Sequence, residues 1–303
     1  MTDNTGRGPY PTIAVIGAGA WGTALAAVAR RAGREVRLWG RNAEDLAAMA
    51  RAGENARYLP GVALPAGIRM EPDIAAALDG AECALMVTPS RTLREMARRM
   101  APALPPGIPV VLCAKGIEQG SGKLLGEVVE EELPGHRIGV LSGPTFARET
   151  AMDFPTAVTL AFPFAAADRR APESAPASRL ALSLGSEKFR PYVSDDMVGV
   201  EVAGAVKNVI AIACGMMTGA GYAENTRAAL ITWGVDEMKT LAEALGGRRE
   251  TVTGLAGTGD LTLTASSPTS RNMKLGLQLG EGVAREACFG GRPVVVEGEV
   301  NAV

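Results

Sequence analysis

Over the first two thirds of the chain, short runs that are apolar at every position alternate with segments whose apolar residues recur every three to four places. TIAVIG (12–17), EVRLWG (35–40), IRME (68–71), CALMVTPS (83–90), PVVLCAKG (109–116), RIGVLSGPT (137–145), TAVTLAF (156–162) and EKFRPYVSDD (187–196) read as strands. Between them, residues 20–33, 42–53, 72–80, 91–104 and 121–133 read as helices. In the second helix Asn42 is the expected N-cap and Gly53 the residue that ends it. NARYLPGVALPAG (55–67) reads as a loop, and FPFAAADRRAPESAPASRLALSLG (162–185) as a Pro/Ala/Ser-rich loop followed by a helix. Strands without polar alternation, separated by amphipathic helices, predict a mostly parallel sheet covered on both faces. The fold class is therefore α/β, with a doubly wound, Rossmann-like N-terminal domain. From about Val198 the alternation stops: residues 197–221, 225–246 and 270–282 all have helical character. The expected boundary lies between residues 193 and 194, giving a nucleotide-binding domain over 1–193 and an all-α domain over 194–303.

Composition narrows the class. At 303 residues and net charge −2, the chain has room for one large or two moderate domains and no basic footprint for nucleic acid. The polar N-terminus MTDNTGRGPYP reads as a disordered lead-in, and the apolar stretches are interrupted by Gly, Pro or charge before a membrane span is reached. Cys83, Cys113, Cys214 and Cys288 are far apart and read as buried free thiols of a reducing cytoplasm. With a single histidine, His136, in a turn before a strand, neither a zinc site nor a histidine-based triad is expected. Only six lysines occur, so a lysine within an apolar helix stands out.

Candidate chemistry begins at Gly17, Gly19 and Gly22, a G-x-G-x-x-G between the first strand and the helix opened by Ala20 and Trp21. Gly17 permits the tight turn, Gly19 lets a pyrophosphate approach the backbone, and Gly22 lets helix and strand pack closely. The helix N-terminus supplies free N–H groups for the phosphates. At the end of the second strand an NAD site often carries an acid, whereas here stands Arg41, a partner for a 2′-phosphate. NADP(H) is favoured and NAD(H) stays open; the alternative for Arg41 is a solvated strand end.

Further along, Lys115 stands at the C-terminal end of an apolar strand, where open α/β sheets bind ligands. Lys207 and Asn208 interrupt an apolar, small-residue helix, where lost hydration lowers a lysine pKa toward the range useful for proton transfer. The alternative for Lys207 is a side chain snorkelling at the helix edge. Asp260 follows a glycine-rich turn, and Ser270, Arg271 and Asn272 open a helix suited to gripping a phosphate dianion, or simply to capping. Together these features point to a dehydrogenase acting on a small phosphorylated substrate, without metal.

IAVIGAGAWGTALA, NARYLPGVALP, AKGIE, SGPTFARE, GAVKNVIAIACGM, AGTGDLTLTASSPTSRN, GLQLGEG and VVEG run in order from residue 12 to 298. Together they resemble the bacterial NAD(P)-dependent glycerol-3-phosphate dehydrogenase family. SGPTFA, GAVKNVIAI and the GDLxxT…SRN pattern are specific; the glycine motif alone is not. The resemblance implies reversible reduction of dihydroxyacetone phosphate to sn-glycerol 3-phosphate, feeding phospholipid synthesis in the cytoplasm, with a homodimer left open. By position it implies Lys207 as proton donor and acceptor. The chemistry agrees: Asp260 is suited to orient that lysine, and its charge would oppose the effect of desolvation. The resemblance implies Lys115 as a contact to cofactor and substrate. Gly143 and Thr145, with Lys207, Asp260, Ser270, Arg271 and Asn272, resemble the substrate contacts. Trp21, Arg41, Ala147, Arg271, Val295 and Glu297 resemble the cofactor contacts.

Two departures accompany the resemblance. Trp233 stands where the family usually has a small or basic residue, and is expected to repack its helix. The chain stops at VEGEVNAV, where the family continues for further helices, so a C-terminally short second domain is expected. A related hydroxy-acid or ketopantoate dehydrogenase, and a catalytically silent NAD(P)-binding protein, stay open at this level.

Overall fold

A computed structural model describes residues 8–301. Contacts divide the chain into two compact units. The first holds residues up to Ala114, then Leu125–Leu141 and Thr145–Asp195; the second holds Lys115–Leu124, Ser142–Pro144 and Asp196 onward. Lys115 thus packs with the helical unit, although sequence order places it just past a strand of the other.

The first unit runs β1 (Thr12–Ile16), α1 (Ala20–Arg31), β2 (Glu35–Trp39), α2 (Ala43–Ala52), β3 (Ile68–Glu71), α3 (Ile74–Leu78), β4 (Cys83–Met86) and α4 (Leu93–Met100). It continues through β5 (Val110–Leu112), α5 (Leu125–Glu132), β6 (Ile138–Ser142), α6 (Ala147–Ala151), β7 (Thr156–Ala161), α7 (Ala166–Arg170), α8 (Pro176–Leu184) and β8 (Phe189–Ser194). The strands form one sheet in the order β3-β2-β1-β4-β5-β6-β7-β8. The pairs β1–β2, β1–β4, β2–β3, β4–β5, β5–β6 and β7–β8 are parallel. Strand order reverses between β1 and β4, which opens a crevice at their C-terminal ends. Ile13, Val15, Leu38, Leu85, Val111 and Leu141 fill the core.

Asn42 caps α2 by accepting from the N–H groups of Glu44 and Asp45, and Gly53 ends it in the left-handed region. Two expectations are corrected here. The Pro/Ala/Ser-rich stretch holds α7 and a short turn of helix before α8; Pro172 opens the short turn and Pro176 opens α8, each with a backbone preset for a first helical position. The helix expected over 121–133 starts only at Leu125; before it, Ile117 and Leu124 pair in an antiparallel bridge. All four cysteines are free and buried.

The second unit contains α9 (Met197–Gly219), α10 (Glu224–Ala244), α11 (Arg249–Val252), α12 (Asp260–Ser266), α13 (Arg271–Gly280) and α14 (Glu297–Asn301). A π-type turn, Leu255–Gly259, leads into α12. Among the described residues α9 is the one helix long and apolar enough to cross a bilayer, and 72% of its most apolar window is buried within the protein. Its apolar composition is that of a central helix against which α10, α12, α13 and α14 pack. Trp233 on α10 is 66% exposed, so the repacking expected of it is absent.

The α9–α13 seam has almost no side chains between the backbones. A Cβ on Gly215 would stand 2.3 Å from the Met273 carbonyl oxygen, and one on Gly219 2.1 Å from that of Leu277. Reciprocally, Gly276 and Gly280 would meet the carbonyl oxygens of Ile212 and Met216 at 2.0 and 2.1 Å. A methyl group has no room to rotate away from backbone. Gly276→Ala is expected to destabilise by about 1–3 kcal/mol through overpacking, read as a lower midpoint of urea unfolding.

Candidate active site

In the first unit the turn after β1 is built for close approach. Gly17 has φ +127°, and a Cβ there would lie 2.6 Å from the Val87 carbonyl oxygen. Gly22 could carry no side chain, since its Cβ would fall 1.7 Å from the Gly17 carbonyl oxygen. Gly19 differs: nothing lies within 4 Å of its Cβ position, which leaves the backbone open on that side. Gly19 is the N-cap of α1 and offers no side chain; the first helical bond runs from the Thr23 N–H to its carbonyl. The N–H groups of Ala20, Trp21 and Gly22 therefore precede the ladder of the helix, and no acid stands in the first turn. These features fit a dinucleotide pyrophosphate.

Asn55, in the loop that follows α2, holds this turn. Only 2% exposed, it donates to the Ala18 carbonyl at 3.1 Å and to the Thr23 hydroxyl at 2.8 Å, and accepts from the Tyr58 N–H. The NAR segment was the available signal, because a buried amide beside a glycine turn satisfies backbone that glycines leave uncovered. Trp21 and Ala147 pack on one small cluster of Ala24, Leu59, Val62 and Ala151. Arg41 is exposed directly after β2, and Thr145 is partly buried ahead of α6.

In the second unit two lysines meet one carboxylate. Lys115 Nζ lies 2.5 Å from Asp260 Oδ2, and Lys207 Nζ 3.1 Å from Asp260 Oδ1. The three side chains are 16%, 7% and 3% exposed for Lys115, Lys207 and Asp260. Lys207 also donates to the Thr264 hydroxyl at 2.8 Å, and that hydroxyl donates to Asp260 Oδ1 at 3.2 Å. Lys115 reaches the Gly143 carbonyl at 3.3 Å. Its stem lies on α9 at Gly204, where a Cβ would come within 3.3 Å of Lys115 Cγ and Ser142 Oγ. Lys207 is thus buried and paired, not snorkelling. Thr264, the threonine of the GDLxxT pattern and given no role on the sequence, stands one helical turn after Asp260 on the same face of α12.

Burial pushes Lys207 down to about 8, although Asp260 opposes the shift; Lys115 adds to it, and Glu297 works against it. Burial alone would raise the Asp260 carboxyl, but the two ammonium groups more than reverse this and hold it below the usual range. Lys207 has three N–H donors and spends two, on Asp260 and Thr264. The third is available to an oxygen acceptor.

Ser270 is 4% exposed and caps α13 by accepting from the Met273 N–H. Its hydroxyl serves the helix, while the N–H groups of Arg271 and Asn272 precede the helical ladder. The Arg271 guanidinium is 55% exposed and 3.5 Å from Glu297. The Asn272 side chain is 6% exposed and engaged on both atoms: Nδ2 with Asn208 Oδ1 at 2.8 Å, Oδ1 with the Gly298 N–H at 2.9 Å. Val295 is 38% exposed just before α14, and Glu297 opens that helix. Among the described residues no metal-binding cluster occurs.

A nucleotide-binding α/β unit that continues into a helical unit with a buried lysine pair is the organisation of a pyridine-nucleotide-dependent dehydrogenase. Residues 12–167 match the family model for the NAD-dependent glycerol-3-phosphate dehydrogenase N-terminus, and residues 196–302 that for its C-terminus. The chain belongs to the NAD-dependent glycerol-3-phosphate dehydrogenase family. It is 51% identical over 286 residues to glycerol-3-phosphate dehydrogenase (NAD(P)+) of Rhodospirillum rubrum, covering 94% of this chain and 79% of the relative. It is 49% identical over 293 residues to that of Parvibaculum lavamentivorans, covering 97% and 85%. The crystal structure of glycerol-3-phosphate dehydrogenase from Coxiella burnetii superposes with a TM-score of 0.86 at 41% identity, covering 97% of this chain and 87% of that one. A ketopantoate reductase from Ralstonia eutropha, at 16% identity and a TM-score of 0.55, shares the fold alone.

The glycine geometry separates two variants. Gly22→Ala is expected to lower the melting temperature, because its Cβ meets backbone. Gly19→Ala is expected to stay within about 1 kcal/mol of wild-type stability while weakening NADPH binding about tenfold or more, since its methyl enters the open space over the turn. Thermal unfolding and fluorescence titration with NADPH measure the two effects.

Proposed function

We propose that this chain catalyses the reversible NAD(P)H-dependent reduction of dihydroxyacetone phosphate to sn-glycerol 3-phosphate. The observation that carries the reading is the Lys207 ammonium, buried against Asp260 and Thr264 with one donor uncommitted, in a chain of this family. The cofactor, when bound, supplies the hydride. The glycine turn holds its pyrophosphate through the N–H groups at the start of α1. Trp21, Ala147, Val295 and Glu297 are the further cofactor contacts in this reading.

As the ketone carbon gains a hydride, negative charge develops on its oxygen. Lys207 donates its free N–H to that oxygen and transfers the proton, leaving a neutral amine. Before transfer the two lysines and Asp260 carry a net charge of +1; afterwards the Lys115–Asp260 pair remains and the net charge is zero. The change neutralises the alkoxide without stranding a charge in the interior. In the reverse direction the neutral Lys207 accepts the alcohol proton. The backbone N–H groups of Arg271 and Asn272, with the Arg271 guanidinium, are the proposed seat of the substrate phosphate. Gly143 and Thr145 are further substrate contacts in this reading, and the hydroxyl of Ser270 supports it as the cap of α13. Phosphate binding supplies remote energy for orientation. NADP(H) is the preferred cofactor in this reading, carried by Arg41. The free, buried cysteines support a cytoplasmic setting, and the exposed rings of Tyr222 and Trp233 offer apolar area for a homodimer.

Purified protein is expected to oxidise NADPH with dihydroxyacetone phosphate, and Lys207→Ala to lose about 10²–10⁴-fold in kcat/KM. Absence of turnover in folded wild-type protein that binds NADPH would reject the reading. The proton donor must be charged for reduction, so kcat/KM for reduction should fall as pH rises through about 8, while that for oxidation should rise through the same region. A pH profile flat between 7 and 9 in both directions would remove Lys207 from the role. Arg41→Ala is expected to raise KM for NADPH about tenfold and leave KM for NADH nearly unchanged; equal effects on both would show that Arg41 does not read the 2′-phosphate.

A further inference from the structure

The Asn272 side chain carries an inference beyond phosphate binding. Both of its polar atoms face inward, to Asn208 on α9 and to the Gly298 N–H on α14. Asn208 in turn donates to the Gly204 carbonyl at 3.3 Å, one turn back on α9. Gly298 sits directly on α9: a Cβ there would lie 2.4 Å from the Asn208 carbonyl oxygen and 2.8 Å from Ile212 Cδ1. At the other end of α14, Asn301 donates to the Ala205 carbonyl at 3.2 Å. Helix α14 has only five residues and makes too few bonds of its own to stand alone. These are the buried contacts that seat it, beside the more exposed ones from Gln119 to the Val300 carbonyl and from Arg285 to Glu299, and it carries Glu297 at its first position.

We propose that Asn272 is a positioning residue, whose carboxamide staples α14 to α9 and thereby fixes the Glu297 carboxylate relative to Lys207. The inference rests on the dehydrogenase reading for its kinetic consequence, and on the hydrogen bonds alone for the staple. Ion pairing reaches α14 only from its exposed side: Arg285 grips Glu299 at 2.5 and 2.7 Å with side chains 34% and 41% exposed, and Arg271 reaches Glu297 at 3.5 Å with both about half exposed, so both pairs are screened by solvent. The Asn272 bridge is buried, so its loss leaves the Gly298 N–H and the Asn208 oxygen without this partner. The charged groups whose fields reach Lys207 are Asp260 on α12, Lys115 on the 115–124 segment and Glu297 on α14. Asp260 and Lys115 are held by their own short contacts; Glu297 alone depends on α14. Its negative charge favours the protonated lysine, so moving it away makes Lys207 lose its proton at lower pH.

The test compares Asn272→Ala, Gly298→Ala, Glu297→Gln and the double variant Asn272→Ala/Glu297→Gln. The pH dependence of kcat/KM for reduction is one readout, and hydrogen–deuterium exchange over residues 294–301 is the other. Asn272→Ala keeps the backbone N–H at the start of α13, so direct phosphate binding through that group is untouched. The expected result is a shift of the descending limb to lower pH, by about half a unit, in all three single variants. The double variant should shift no further than Glu297→Gln alone. Exchange in 294–301 should rise about tenfold or more in Asn272→Ala and Gly298→Ala, and little in Glu297→Gln. A raised KM with an unmoved limb and unchanged exchange would overturn the proposal and make the carboxamide a direct substrate ligand. Should Asn272→Ala fail to fold, Gly298→Ala, which unseats α14 while keeping the carboxamide, decides between the same outcomes. Wild-type protein without turnover would sink the dehydrogenase reading, whereas the exchange arm judges the staple independently.

Discussion

One carboxylate between two ammonium groups governs the helical unit. Three charges lie out of water, and each would cost several kcal/mol if left alone. Asp260 gives one oxygen to each lysine, so neither cation is isolated and neither oxygen is idle. That sharing ties together three pieces remote in sequence: the 115–124 segment, α9 and α12. It also explains why Lys115 belongs with the helices rather than with the strand it follows. A side chain whose charge is met by Asp260 and by the Gly143 carbonyl takes its short segment along.

The helix that carries Lys207 is shaped by what must touch it. Gly204 makes room for the stem of Lys115, Gly215 and Gly219 for the backbone of α13, and the stretch around Asn208 and Ile212 receives Gly298 of α14. A helix serving so many close neighbours has to be apolar and small-sided. Those same demands give α9 the length and hydropathy of a membrane segment while leaving it buried in protein. Lys207 is affordable in such a helix only because Asp260 and Thr264 are brought to it.

Much of this was legible in the sequence where one physical rule acted locally. The uninterrupted apolar runs declared a covered parallel sheet, Asn42 and Gly53 marked the ends of α2, and the glycine turn announced itself by position between strand and helix. Lys207 stood out because hydration is denied to it. What was not legible depended on contacts across long separations. Asn55 looks like any loop asparagine until Ala18 and Thr23 are beside it. Thr264 looks like a helix surface residue until Lys207 arrives. The short helices α11 and α12 have little periodicity to read, and the side chain of Asn272 gave no sign that it faces α14 instead of solvent. An aromatic on a helix need not be packed, and Trp233 is exposed.

The seam between α9 and α13 has a consequence for how such a chain can change over generations. Every codon substitution that replaces a glycine adds at least one carbon, so at Gly215, Gly219, Gly276 and Gly280 no replacement is smaller than the original. The seam has no compensating neighbour to trim, because what a new methyl would strike is main chain. Drift at these four sites is therefore closed in both directions, whatever selection acts on the activity. New substrate preferences in descendants of this chain have to enter through the loops and helix ends, with the spacing of α9 and α13 inherited unaltered.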